Sequence, residues 1–207
     1  MRPTQWNPIA RYAHWLHLRW PAGTVEALPL VNEDGTTNVP GLFIVGDLAG
    51  VPLLKLSANG GARVARRIAE SASRSDDPAT LDLAIIGAGA AGMSAALEAK
   101  KAGLKYVVFE SAEPFSTIVN FPKAKPIYLY PTELPLDADL QLTDRSDVKE
   151  GLLAELAEQT IDRGITIEHR KISHVERAGV VLHVVGEDGS RTKARHVIVA
   201  IGRSGDY

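Results

Sequence analysis

Four apolar runs divide this chain, and each ends at a glycine or an acid. They are Leu42–Val45 before Gly46-Asp47, Leu83–Ile86 before Gly87, Tyr106–Phe109 before Glu110, and His196–Ile201 before Gly202. Short apolar runs bounded by turn residues predict buried strands, apolar on both faces. Between them lie helical stretches: about Leu53 to Ala72, Ala90 to Gly103, and a segment capped by Asp144 or Ser146. That last helix carries Val148, Leu152, Leu153, Leu156 and Ile161 on one face, and Gly164 stops it. Thr166–Glu168 then predicts a short strand. Lys171–Val175, Gly179–Val185 and Thr192–Ala200 alternate or run apolar around turns at Arg177-Ala178-Gly179 and Glu187-Asp188-Gly189. This order predicts an α/β fold with a parallel sheet and a β-meander. Ser71–Thr80 is a polar linker, and Asn32-Glu33-Asp34-Gly35 a polar turn.

The richest pattern is Leu83 to Glu110, where the strand runs into Gly87, Gly89 and Gly92 spaced G-x-G-x-x-G. Gly87 permits the tight turn, Gly89 lets a pyrophosphate approach the backbone, and Gly92 lets the next helix pack against the sheet. That helix starts near Ala90, and its free N–H groups and dipole favour an anion. Gly103 is placed for a left-handed cap. Glu110 ends the second strand, where a carboxylate can take both hydroxyls of an adenosine ribose and disfavours a 2′-phosphate. Strand, glycines, helix, second strand and acid in register predict dinucleotide binding, with FAD or NAD open and NADP disfavoured.

Three other stretches carry signals. Pro40-Gly41 turns into Leu42–Val45, whose Gly46-Asp47 falls at the carboxyl end of a strand, where open α/β sheets bind ligands. In the helix that follows, Asn59-Gly60-Gly61 predicts a close approach by something, a cofactor or a neighbouring strand. Residues 111–146 are proline-rich and irregular. Their apolar content (Phe115, Ile118, Val119, Phe121, Ile127, Tyr128, Leu129, Tyr130) predicts a functional loop packed over something. Near the N-terminus, Asn7 and Pro8 suit a helix start, with Ile9, Tyr12, Ala13 and Leu16 on one face and Pro21 at its end. All three tryptophans (Trp6, Trp15, Trp20) lie here, and this segment reads as a small helix docking on the body. His14 and His17 are three apart, but with no acidic or thiol ligand nearby no metal site is expected.

Composition narrows the classes. A net charge of −2 over 207 residues suggests neither nucleic acid nor an anionic membrane as partner. No apolar run approaches the ~20 residues that span a bilayer, and the first residues lack the apolar core of a signal peptide, so the expected location is cytoplasmic. Cysteine is absent, which excludes disulfides, thiolate metal sites and a redox-active cysteine pair within these residues. No Ser/His/Asp nucleophile pattern, P-loop or paired-carboxylate motif appears, and no catalytic residue is assigned.

Together the motifs resemble the FAD-binding domain of the two-dinucleotide-binding flavoproteins, in particular thioredoxin reductase and bacillithiol disulfide reductase-like proteins. GAGAAG with Glu110 resembles that family's ADP-binding motif. TTNVPGLFIVGDLAG resembles its C-terminal segment, in which the aspartate holds the FAD ribitol, a role that falls on Asp47. HVIVAIGRSG resembles the hand-over to the NAD(P)H domain, and Thr117-Ile118-Val119-Asn120-Phe121-Pro122 the loop along the flavin. The resemblance implies a Rossmann-like FAD-binding domain with cofactor contacts at Gly87, Gly89, Ala90, Ala91, Gly92, Glu110, Thr117, Asn120, Gly46, Asp47, Ala200 and Gly202. It departs from the family in order, since the Gly46-Asp47 strand comes first, which implies a circularly permuted domain. It also departs in extent, since no second G-x-G-x-x-G and no NAD(P)H domain are present. The expected organisation is an N-terminal segment (1–35), the strand and helix completing the domain (36–75), a linker (76–82) and the main FAD-binding body (83–207). The implied function is that of an FAD-binding part of a longer NAD(P)H-dependent oxidoreductase, able to form a homodimer. The alternative is a non-catalytic nucleotide sensor or interaction module.

Overall fold

The structure, a computed structural model, describes residues 29–50, 52–71, 74 and 77–202. The expectations for the tryptophan-rich helix and for His14 and His17 lie outside the described residues.

The elements follow the hydrophobic pattern closely. In chain order they are β1 (Leu42–Ile44), α1 (Leu54–Glu70), β2 (Thr80–Ile86), α2 (Ala90–Lys101), β3 (Tyr106–Glu110), α3 (Ser116–Val119), α4 (Lys149–Gln159), β4 (Ile167–His169), β5 (Ile172–Ala178), β6 (Val181–Gly186) and β7 (Arg191–Val199). Two 3-10 turns, Gly46–Ala49 and Asp144–Asp147, precede α1 and α4. The strands form one seven-stranded sheet in the order β4-β3-β2-β7-β6-β5, with β1 also on β7. Strands β4, β3, β2, β7 and β1 are mutually parallel, while β5, β6 and β7 form the antiparallel meander. The Rossmann-like α/β expectation is met.

β7 joins the two parts of the sheet. Along one edge it pairs with the length of β2, from Thr80↔Lys193 to Ile86↔Val199. Its other edge is divided. The first half pairs with β6, from Val185↔Arg191 to Leu182↔Ala194, and the last three residues pair with β1, from Leu42↔Val197 to Ile44↔Val199. β1, α1 and β2 form a β-α-β unit with parallel strands, but β7 lies between the two strands. Sequence order cannot reveal such an insertion, because the third strand arrives more than a hundred residues later.

Alternation on the central strands serves two cores. Leu83, Ile85, Val108 and Ile198 pack with the helices and with Phe115, Ile118, Ala138 and Leu140. Ala84, Ile86, Phe109 and Val197 pack on the other side with Leu182, Val184 and Ala194 of the meander. This two-sided burial is why β2 reads as a continuous apolar run.

α1 and α2 touch at the backbone. A Cβ on Gly61 would lie 2.0 Å from the Ala91 carbonyl oxygen, whereas one on Gly60 would meet nothing within 4 Å. The Asn59-Gly60-Gly61 signal therefore marks a helix–helix crossing at Gly61, not a cofactor or a strand. Two features of α4 also differ from expectation. Its N-cap is Val148, with no side-chain cap, and the Ser146 hydroxyl instead donates to the buried Glu155 carboxylate. Leu152 and Leu156 are fully buried, but Val148 and Ile161 lie outside the helix and are exposed. Gly103 takes the left-handed conformation after α2, and Leu104 N–H closes the cap on the Ala99 carbonyl at 3.0 Å.

Residues 111–146 are irregular but tightly held. Lys55 donates to the carbonyls of Pro131, Thr132 and Leu134, Asn59 bonds Pro135 and Asp137, and Arg66 bonds the Asp137 carbonyl. Phe115, Ile118, Ala138 and Leu140 are buried, while Tyr128 and Tyr130 are exposed and stack on each other at 6.1 Å. The expected packing thus holds for the ends of the segment and fails for its two tyrosines.

Gly61→Val should fold less stably by about 3 kcal/mol, because the clash is with backbone that cannot yield cheaply; urea unfolding measures this. A second expectation concerns His196, which tilts against Phe43 with Nδ1 3.2 Å from the Asp82 carbonyl and therefore protonated there. Burial holds its pKa below the ordinary 6.5. Above that value both folded and unfolded chains are neutral at this position. As pH falls below it, the unfolded chain takes the proton first, so stability is lost until the folded pKa is passed. His196→Gln should remove this part of the acid destabilisation, read as a flatter profile of unfolding midpoint against pH.

Candidate functional site

The candidate site lies at the carboxyl edge of the parallel strands, where β1, β2, β3 and β7 all end. Its centre is the turn from β2 into α2. Gly87 turns with φ of 104°, and a Cβ there would sit 2.5 Å from the Ala200 carbonyl oxygen. A Cβ on Gly92 would sit 1.9 Å from the Gly87 carbonyl oxygen, so the first turn of α2 lies directly on the loop. Gly89, the N-cap of α2, has φ of −79°, and a Cβ there would meet nothing within 4 Å. The first and third glycines are required by the protein itself. The middle one leaves its space open to a ligand. The tight turn expected at Gly87 and the close packing expected at Gly92 are both present.

Ala91 is enclosed by a second motif. Its Cβ would lie 3.2 Å from a Cβ on Gly46, and its carbonyl faces Gly61. Gly46-Asp47, more than forty residues earlier in sequence, therefore abuts the start of α2. Asp47 sits in the 3-10 turn, half-buried, with Oδ1 accepting from the Ser57 hydroxyl at 3.3 Å. Ala90 is half-buried, but the Ala91 side chain is covered by protein, so only its backbone can serve a ligand.

Glu110 does more than end its strand. Oε2 accepts from Ala88 N–H at 2.7 Å, and Oε1 accepts from Ser111 and Ala112 N–H, each at 2.9 Å. The carboxylate that was expected to take ribose hydroxyls thus first ties the glycine loop to the end of β3. Oε1, which the Ser111 hydroxyl also approaches at 3.4 Å, has its lone pairs engaged, and one lone-pair position remains on Oε2. Ala88 is held from both sides, since its carbonyl accepts from Phe115 N–H at 3.0 Å. Phe115 is buried yet adopts φ of 58°, a conformation a bulky residue keeps only when its surroundings impose it.

After Phe115 comes α3, which carries Thr117, with Asn120 as its C-cap; both side chains are exposed. Ala200 N–H donates to the Ile86 carbonyl at 2.8 Å, and Gly202 follows in the left-handed region. The Ala200 contribution is a carbonyl wall behind Gly87. The sequence did not single out Ala88, Lys149 or Glu150, and marked Phe115 only as part of the apolar content of the irregular segment. Lys149 donates to the carbonyls of Val119 and Phe121, and Glu150 accepts from Ala124 N–H at 3.0 Å, which holds its pKa below the usual carboxylate range. No local pattern could have found them, because each works through backbone atoms of a distant segment. Among the described residues there is no group of three or more His, Cys, Asp or Glu able to hold a metal. Nor is any helix among them long and apolar enough to cross a membrane.

This arrangement defines a dinucleotide-binding α/β domain. The family model described as "FAD binding domain" matches residues 82–122, the segment from β2 through the loop after α3. Solved structures are similar to parts of this chain. Bacillithiol disulfide reductase from Staphylococcus aureus is similar at 18% identity over 59% of this chain and 38% of its own, with a TM-score of 0.50. A flavin-containing monooxygenase from Stenotrophomonas maltophilia is similar at 24% over 62% and 42%, with a TM-score of 0.49. A thioredoxin reductase from Streptococcus pyogenes is similar at 25% over 63% and 38%, with a TM-score of 0.48. The chain thus spans about two-fifths of the length of these structures. The curated proteins contain no match to the sequence.

Glu110→Ala should free the Ala88, Ser111 and Ala112 amides. Hydrogen exchange at these three should quicken by about tenfold or more, the loss expected for charge-assisted hydrogen bonds, while the exchange of β2 stays as it was.

Proposed function

We propose that this chain is the FAD-binding domain of a pyridine nucleotide-dependent flavoprotein oxidoreductase, with the NAD(P)H-binding part lying outside these residues. The observation that carries this reading is the meeting of two motifs at one sheet edge. A glycine loop suffices for an adenine dinucleotide of any kind, but the Gly46-Asp47 turn packed on Ala91 has no place in a domain that holds NAD alone. The exposed Thr117 and Asn120 supply a further wall next to the loop, of use to a ligand longer than ADP.

In this reading the open side of Gly89 admits the pyrophosphate to the first amides of α2, and Glu110 takes the adenosine ribose. Asp47 holds the ribitol hydroxyls. α1 begins at the same edge, so the positive end of its dipole lies where negative charge on the ring system is best tolerated. Bound FAD would supply the redox chemistry, accepting a hydride and passing electrons to an acceptor. The chain's own part is to bind, orient and set the charge around the ring, and no side chain is assigned as acid or base.

The order of motifs fits a circularly permuted domain, since β1 takes the edge position beside β7 as a single copy. The division at residues 36–75 and 83–207, a cytoplasmic location and a homodimer go with the same reading. A sensor module would need the glycine loop but not Asp47.

The purified protein should keep visible flavin absorption through desalting, or regain it on adding FAD. A folded protein that refuses FAD would sink the proposal. Gly89→Val should fold as the parent does, since its Cβ meets no protein atom and its φ suits any residue, yet lose FAD. Asp47→Ala should weaken FAD by about tenfold, roughly one charge-assisted hydrogen bond, and leave binding of ADP unchanged; equal loss of both ligands would contradict the ribitol role.

A further inference from the structure

The segment that would lie along the flavin, residues 115–124, is bounded by two residues with positive φ that are not glycine. Phe115 has φ of 58° and Ala124 has φ of 56°. These are the two non-glycine residues recorded with positive φ among the described residues. Such residues persist where neighbours over-determine them. At the Phe115 end the neighbour is the glycine loop itself, through Phe115 N–H and the Ala88 carbonyl. At the Ala124 end it is the first turn of α4. The Glu150 carboxylate accepts from Ala124 N–H at 3.0 and 3.2 Å through its two oxygens. Lys149 Nζ donates to the Val119 carbonyl at 2.5 Å and to the Phe121 carbonyl at 2.7 Å, closing the carboxyl end of α3.

Lys149 breaks a local rule. It is the first residue of α4, where the helix dipole disfavours a cation, and its side chain is half-buried among carbonyls. The backbone around it is fixed too. Lys149 N–H donates to the Lys125 carbonyl at 3.0 Å, Ile127 N–H to the Asp147 carbonyl at 2.7 Å, and Pro126 bridges to Val148. A Cβ on Gly151 would fall 2.0 Å from the Arg145 carbonyl oxygen, so the first turn of α4 packs directly on the 3-10 turn before it. The cation is therefore presented to α3 from a rigid base, and its unfavourable place on α4 is offset by what it does for another segment.

We infer that Lys149 and Glu150 form a two-point clamp that sets the position of residues 117–124, and that Lys149 is a positioning residue for the flavin end of the cofactor. The inference rests on the FAD reading for its ligand, but the clamp itself does not. Lys149 acts through the carbonyls of Val119 and Phe121, which flank Asn120, and so fixes the direction in which Asn120 and Thr117 face. An ammonium is suited to this, because two of its three donors can reach both carbonyls, which no helix satisfies.

The test compares Lys149→Met, Lys149→Arg and Glu150→Ala with the parent chain, each checked for folding by far-ultraviolet circular dichroism. Two readouts are taken: amide exchange of residues 116–124 without FAD, and FAD affinity with the visible circular dichroism of the bound flavin. Lys149→Met should quicken exchange at Asn120 and Phe121, raise the FAD Kd by about tenfold, the equivalent of ~1.4 kcal/mol, and alter the visible dichroism. Lys149→Arg, which can still donate to both carbonyls, should restore most of each, a rescue that lost packing alone would not give. Glu150→Ala should quicken exchange at Ala124. If Lys149→Met exchanges and binds FAD as the parent does, the clamp is overturned and the FAD reading stands. If the parent itself refuses FAD, that reading falls and exchange alone decides: faster exchange in Lys149→Met upholds the clamp, and unchanged exchange overturns it.

Discussion

Backbone meets backbone around the turn Gly87–Ala91, and every other feature of the site follows from how little room is left there. Gly87 is closed off by the Ala200 carbonyl, Gly92 sits on the Gly87 carbonyl, and the Ala91 carbonyl lies against Gly61 of α1. Gly46 closes the remaining side of Ala91. A side chain on any of these glycines would push apart two elements of the fold. Of the three glycines in the loop motif, Gly89 alone faces open space. Excluding Cβ atoms lets three elements converge within van der Waals contact, and it leaves a single approach to the amides at the start of α2, where the dipole favours an anion.

β7 makes that convergence possible from the sheet side. One edge serves β2 alone, while the other is shared between the meander and β1. The sharing puts the end of β1 level with the end of β2, since Ile44 and Ile86 both pair with Val199. Asp47 and Gly89 therefore lie at the same sheet edge although they are more than forty residues apart in sequence. The long irregular segment is organised by a different rule. Its carbonyls and amides have no ladder to join, so side chains from the helices satisfy them: Lys55, Asn59 and Arg66 from α1, and Lys149 and Glu150 from α4. Buried backbone polar groups must find partners, and here the helices supply them with their outward-facing polar residues.

The charged residues of the helices thus have roles that a surface reading would miss. Arg66 reaches the nearly buried Glu98 of α2, whose carboxylate also accepts from Asp139 N–H at 3.3 Å. Lys101 pairs with Asp139 one turn further on. These contacts join α1, α2 and the irregular segment at one seam. The exposed pairs add little by themselves, since solvent screens them. Their value lies in direction, because each holds the segment over the helix layer that backs the glycine loop.

Much of this was legible in the chain. The apolar runs announced the strands because strands buried on both faces need no alternation. The glycine spacing announced the loop, because only a missing Cβ tolerates a 1.9 or 2.5 Å approach. Gly103 announced the cap, because an L residue resists the left-handed conformation there. Local sequence determined these features because their physics is local: torsion angles, side-chain size, and periodicity over a few residues. The tertiary structure alone decided that β7 separates β1 from β2, that Gly61 answers to Ala91 rather than to a ligand, and that Glu110 braces Ala88. It alone decided that Lys149 and Glu150 hold a loop some thirty residues before them. Those outcomes depend on which backbone atoms two distant segments bring within hydrogen-bonding or contact distance, and a backbone carbonyl leaves no mark in the sequence.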